Sequence, residues 1–199
     1  MTNIFLSASV PLPERNRVYF ETADVFLIRE AIRALIEVII PVGTITFGGH
    51  PAITPLVSLY LAGTGHPRER VTVFQSEFFP RPKGKNALDI ANIRYTPAVL
   101  GELAPSLRLM RETMISSQQF DAAVLIGGME GINEEVEIFR QHHPGVLILP
   151  VPSTGAAARI IYRSEHGFPE GLETEISFAS MFRRNLLPPP KTINTDQIR

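Results

Sequence analysis

The chain has 199 residues, 44% of them apolar and 20% charged, a composition that builds the core of one globular domain and excludes wholesale disorder. With 19 Lys and Arg against 20 Asp and Glu the formal net charge is -1, which argues against a general nucleic-acid coat. There is no Cys, so disulfides, thiolate catalysis and zinc ribbons are excluded, and a reducing cytoplasmic setting is expected. The first residues have no basic stretch and only a short apolar run, so no targeting segment is expected. Residues 4–9 read as a first strand. Asp24 is placed to cap a helix whose apolar positions are Val25, Ile28, Ile32, Leu35, Ile36 and Ile39. Arg29, Glu30, Arg33 and Glu37 interrupt that apolar run at helical spacing, which makes it an amphipathic helix and predicts no membrane partner. Residues 44–47 form a second strand, Pro51 stands in the first turn of a helix through 56–62, and residues 71–75 form a third strand.

Residues 76–96 read as a long irregular connection holding Phe78, Phe79, Arg81, Lys83, Lys85, Arg94 and Tyr95. Connections of that length are commonly lids or binding loops. A helix is expected over 99–119, with Leu100, Leu103, Leu107, Met110 and Met114 on one face and Arg111 beside them. Strands follow at 122–126 and 146–151, helices at 131–141 and 154–162, and one more helix within 172–182. The alternation predicts an α/β fold: a Rossmann-like three-layer sandwich with a mainly parallel sheet of five or more strands. Near-continuous apolar runs such as AAVLI and VLILPV fit strands covered on both faces. One domain is expected over 1–185, followed by a Pro-rich tail or linker over 186–199.

In an open parallel sheet, ligands bind beyond the carboxyl ends of the strands. That rule gathers four short sequences on one edge: Ser7 to Ser9, Gly48-Gly49-His50, Gly127-Gly128-Met129-Glu130-Gly131, and Ser153-Thr154-Gly155. Glycine admits a phosphate close to the backbone, and helix N-termini favour anions. A phosphorylated ligand is therefore expected there. A side chain introduced at Gly128 is expected to fill phosphate space at modest cost in stability. Asn133, Glu134 and Glu135 follow in the next helix, where carboxylates suit both the helix dipole and a ribose diol. Neither GxxxxGK[ST] nor a GxGxxG after the first strand is present, which disfavours P-loop hydrolysis and ordinary dinucleotide dehydrogenases. No His spacing suits a metal, and none is expected; no cofactor is expected either.

The segments FGGHPAITPL and IGGMEGINEE resemble the SLOG superfamily. That group includes the "lonely guy" phosphoribohydrolases, often labelled lysine decarboxylases, and nucleotide-sensing domains of prokaryotic defence systems. The hydrolases carry GGG-x-x-G-L-M-G, on which Gly48, Gly49 and His50 fall, and PGG-x-GT-x-x-E, matched by Gly127, Gly128, Gly131 and Glu135. Ile126 stands for the proline and Ile132 for the threonine, and one residue is inserted before Gly131. Arg111 falls near the arginine of a preceding Met-x-x-Arg-Lys, with Glu112 in place of the lysine.

The resemblance implies a nucleotide or nucleotide-derived ligand, NAD-derived in some relatives. The ligand would be held by Ser7, Ser9, Gly48, Gly49, His50, Gly127, Gly128, Met129, Glu130, Gly131, Asn133, Glu134, Ser153 and Thr154. The altered motif favours a sensor over an enzyme. As an enzyme, the chain would be a nucleoside 5′-monophosphate phosphoribohydrolase, with Arg111 orienting the phosphate or polarising the leaving group and Glu135 stabilising the ribosyl cation. A TIR or other effector module and a second copy of the chain are the macromolecular partners that this reading implies.

Overall fold

The computed structural model describes residues 1–81 and 92–189. The expectations for Lys83 and Lys85 and for the tail beyond residue 189 lie outside those residues. Six parallel strands, β1 (Thr2–Ser9), β2 (Gly43–Gly48), β3 (Val71–Ser76), β4 (Asn92–Thr96), β5 (Ala122–Gly127) and β6 (Leu147–Val151), form one sheet in the order β4-β3-β2-β1-β5-β6. The helices are α1 (Arg17–Phe20), α2 (Val25–Ile39), α3 (Ile53–Thr64), α4 (Leu103–Ile115), α5 (Glu130–His142), α6 (Ala156–Ser164) and α7 (Phe178–Leu186).

Two apolar layers enclose the sheet. Alternation along β1 sends Ile4 and Leu6 to one face, where they join Ile28, Ile32, Leu35 and Ile36 of α2, Val57 of α3 and Phe182 of α7. It sends Phe5 to the other face, where Met110 and Met114 of α4, Val136 and Phe139 of α5 and Ile161 of α6 cover it. The result is the three-layer sandwich that the alternating pattern predicts. β5 is buried at every position, as its unbroken apolar run requires.

Several boundaries differ from expectation. Residues 92–96 are not irregular but form the edge strand β4, paired with β3 from Thr72↔Asn92 to Ser76↔Thr96. α4 begins only at Leu103, because Leu100 and Gly101 take left-handed φ values of 51° and 71° that no right-handed helix admits. The Ser106 hydroxyl then holds the Val99 N–H at 2.8 Å across this turn. Residues 152–154 form a short 3-10 turn, so α6 starts at Ala156 rather than 154. The stretch 172–182 divides into a 3-10 turn (Leu172–Thr174) and the start of α7.

The chain runs outward from β1 to β4 and then crosses back to lay β5 on the free side of β1. This reversal of strand order opens a crevice between the carboxyl ends of β1 and β5. Their register places Ser7 opposite Leu125 and Ser9 opposite Gly127, so the glycine turn before α5 lies directly at the reversal.

Candidate functional site

Ser7 shares its face of β1 with Phe5 and points under the first turns of α5. It is 1% exposed, and its hydroxyl donates to Glu135 Oε2. The second carboxylate oxygen, Oε1, faces Arg111 Nε at 3.5 Å. That Nε is buried and makes no hydrogen bond. Arg111 Nη1 pairs with Glu134. The side chains of Arg111 and Glu135 are both 14% exposed, whereas Glu134 is 33% exposed. Burial pushes the Glu135 carboxyl above its ordinary pKa, and the Arg111 charge and the Ser7 hydrogen bond pull it partly back.

Above this cluster lies an open groove of about 460 Å³ between the first turns of α4 and α5, lined by Leu103, Leu107, Arg108, Arg111, Gly131 and Glu134 among others. Gly131 lies against the guanidinium: a Cβ there would stand 2.7 Å from Arg111 Nη2. No side chain caps the N-terminus of α5, whose cap residue Met129 is extended and buried. The chain between β1 and α2 crosses the rim, with Arg15 3.8 Å from Glu130 and Asn133 Nδ2 3.5 Å from the Tyr19 hydroxyl.

His50 is half-buried on the neighbouring edge. Its Nδ1 accepts the Ala52 N–H at 3.2 Å, so the neutral ring carries its proton on Nε2. Burial, and then the nearby charge of Arg15, lower its pKa from the ordinary value of 6.5. Arg15 thus relates His50 and Glu130 to one rim. Gly48 lets the Met110 and Met114 methyls approach, and Gly49 is covered by the Gln75 amide.

The backbone donors of the glycine turns are largely turned inward. Gly49 N–H donates to Phe74 O at 2.7 Å, His50 N–H to Thr54 Oγ1 at 2.9 Å, Gly127 N–H to Thr154 Oγ1 at 2.9 Å, and Gly128 N–H to Ser9 O at 2.9 Å. Thr154 is fully buried, and its hydroxyl also donates to Val151 O at 2.6 Å, so this residue shapes the turn from within. The start of α6 is sealed by the β1–α2 connection. Ala156 N–H donates to Thr22 Oγ1 at 2.9 Å, and a Cβ on Gly155 would meet Thr22 O at 1.7 Å. Ser153 beside it has a buried hydroxyl without a partner.

The expectation for Gly128 needs correcting on the same grounds. Its φ is +93°, and a Cβ there would lie 1.9 Å from Ile132 Cδ1, inside the protein rather than in phosphate space. A side chain at Gly128 therefore strikes the fold first.

The structure thus brings together Ser7, Glu130, Gly131, Glu134, Glu135 and Arg111, with His50 on the adjoining rim. It leaves Ser9, Gly127, Gly128 and Thr154 as the frame behind them. Arg15, Tyr19, Gln75 and Arg108 border the site and were not among the residues expected from sequence. Of these only Arg108 carried a local signal, being one turn before Arg111 on the same helix. Among the described residues no group of three or more His, Asp or Glu is arranged to hold a metal, and no helix is long and apolar enough to cross a membrane.

A family model described as the SLOG cluster3 family matches residues 18–186. The chain belongs to the SLOG cluster3 family. The match runs from α1 through α7 and takes in every strand except β1. The crystal structure of TM1055, a structural genomics target, is similar in fold with a TM-score of 0.55. It is 14% identical, over 92% of this chain and 99% of that one. No curated protein matches the chain. Membership of the SLOG family points to a nucleotide-related function, and the crevice at the strand reversal is where a fold of this type holds such ligands.

Proposed function

We propose that this SLOG domain binds a nucleotide or nucleotide-derived signal in the groove between α4 and α5 and acts as a sensor. The observation that carries this reading is the Ser7–Glu135–Arg111–Glu134 cluster, set at the β1/β5 reversal beneath an open groove. Arg111, with Arg108 nearby, supplies planar cationic donors suited to a phosphate. Glu130 offers an acceptor to ribose hydroxyls. Binding here bears on the β1–α2 connection through the Arg15–Glu130 and Tyr19–Asn133 contacts, which gives a signal a route from the groove to the surface. We further infer that the receiver is a separate effector module, such as a TIR domain, in a prokaryotic defence or stress system. The family resemblance supports that step.

A second reading has its own support. Glu135 is fixed by Ser7 opposite Arg111 at the floor of the groove, a placement that suits a carboxylate facing a ribosyl cation in N-glycoside cleavage. One experiment separates the two. The protein is purified from its own cells and analysed by native mass spectrometry for a retained nucleotide, then incubated with the common nucleoside monophosphates. A retained or added nucleotide that binds without release of free base supports the sensor. Base release by the wild type that disappears in Glu135→Gln establishes the hydrolase. Failure of every nucleotide to bind refutes both.

A further inference from the structure

We propose that Glu134 is a displaceable counter-anion on Arg111, and that its exchange selects ligands ending in a doubly charged phosphate. This rests on the nucleotide-binding reading above and adds a specificity residue to it. Two carboxylates hold Arg111, and they are not equivalent. Glu135 approaches Nε from the sheet side, is 14% exposed, and is tied down by the Ser7 hydroxyl. Glu134, one residue earlier and so about 100° around the helix, approaches Nη1 from the groove side and is 33% exposed. Glu134 therefore has water to move into, and Glu135 does not.

The place that Glu134 would vacate is suited to a stronger anion. It lies on a guanidinium, which forks phosphate oxygens. It also adjoins the first turn of α5, where Gly131 leaves room for Nη2 and no side chain caps the helix. Arg108 lines the same groove. A carboxylate carries one negative charge, so a phosphodiester, also singly charged, gains little by replacing it. A terminal phosphate carries nearly two and three acceptor oxygens. An uncharged nucleoside leaves the pair intact. Glu134 thereby sets a threshold of charge that a ligand must exceed.

The test uses the full chain and two probes free of any base, methyl phosphate and dimethyl phosphate, near pH 8, where the monoester is doubly charged. The readout is the Arg111 Nε–H signal in proton–nitrogen NMR spectra. Methyl phosphate is expected to move that signal in the wild type and dimethyl phosphate to leave it in place. Glu134→Gln is expected to tighten methyl phosphate by about tenfold, as removal of a competing charge-assisted hydrogen bond allows. Glu134→Ala repeats the test if the glutamine variant folds poorly. Equal affinity in wild type and variant, equal response to the two probes, or no response at Arg111 overturns the proposal. A nucleotide that binds in the groove while the probes fail overturns this inference alone and leaves the sensor reading standing.

Discussion

Gly131 and Gly128 lie three residues apart, and the structure separates their roles sharply enough to test the site by two alanine substitutions. At Gly131 a Cβ meets only the far end of Arg111, 2.7 Å from Nη2, and the position is helical. Alanine gains roughly 0.5–1 kcal/mol of helix propensity there. It also pushes the guanidinium off Glu134, a charged hydrogen bond of roughly 1.5–3 kcal/mol when well shielded, and less here because Glu134 is a third exposed. The two effects nearly offset, so Gly131→Ala should lose no more than about 1 kcal/mol. At Gly128 alanine meets a φ of +93° and the Ile132 side chain at 1.9 Å. Strain of roughly 1–3 kcal/mol and overpacking of a similar size should then sum to about 2–6 kcal/mol. Urea denaturation gives the stabilities, and calorimetry with the nucleotide retained from cells gives the affinity. Gly131→Ala should fold nearly as well as the wild type and bind at least tenfold more weakly. Unchanged affinity in that variant, or wild-type stability in Gly128→Ala, would refute the assignment of these two glycines.

The two perturbed titrations at the site, those of Glu135 and His50, give opposite pH dependences. Glu135 holds its proton in the folded chain to a higher pH than the ordinary 4.5, so its contribution to stability is complete below that value and falls as pH rises through the folded pKa. The stability of the wild type relative to Glu135→Gln, from urea curves across this range, should decline on going from acid toward neutral pH; a rise would contradict the burial argument. His50 behaves in the reverse sense, with stability complete above 6.5 and lost as pH falls through its depressed value. Its ring signals should titrate below 6.5, and Arg15→Ala should raise the midpoint only part of the way, since burial is the larger cause. Thr154→Val strands the buried Gly127 N–H and should cost about 1–3 kcal/mol by thermal or urea unfolding. A loss of ligand affinity without a loss of stability in that variant would instead make Thr154 a ligand contact.

The elements legible in the sequence are those whose own chemistry decides them. α2 is written in a 3.6-residue apolar period and an Asp24 side chain that accepts the Leu27 N–H at 2.9 Å. β5 is an apolar run with no alternative to burial on both faces. β4 escaped notice because NIRYT is a short, half-exposed edge strand holding an arginine, and its pairing with β3 is a tertiary fact. The late start of α4 is similar: a leucine in a left-handed conformation breaks a pattern whose periodicity reads straight through it.

At the site, the glycines were readable as special backbone positions, but not what they make room for. Sequence places a glycine after a strand and leaves open whether a ligand or a neighbouring side chain needs the space. At Gly49 and Gly128 it is the neighbouring side chain, Gln75 and Ile132 respectively. Arg15 and Tyr19 carried no signal at all. Their segment has no apolar period, and it reaches the groove only because Thr22 seals the start of α6 and Asp24 N–H donates to Thr154 O at 3.1 Å.

Ile132 connects the departures from the hydrolase pattern to the shape of this site. Where that pattern has a threonine, this chain has a buried apolar side chain that folds back against Gly128. A threonine hydroxyl in such a place could donate toward the crevice; an isoleucine can only pack. Once Ile132 packs, the glycine pair is fastened beneath α5, with Gly128 N–H on Ser9 O and Ala157 N–H on Gly128 O. The backbone nearest the groove is then the 129–131 turn, one residue longer than in the pattern, and it meets Arg111 rather than the end of β5. The side chains that line the groove belong to α4 and α5. Side-chain ion pairs can exchange partners at little cost, whereas a backbone cradle is fixed. The Arg111–Glu134 pair, a third exposed on its carboxylate side, is accordingly suited to register a ligand by rearranging, while Glu135 stays fixed by Ser7, and this supports the sensor proposed above.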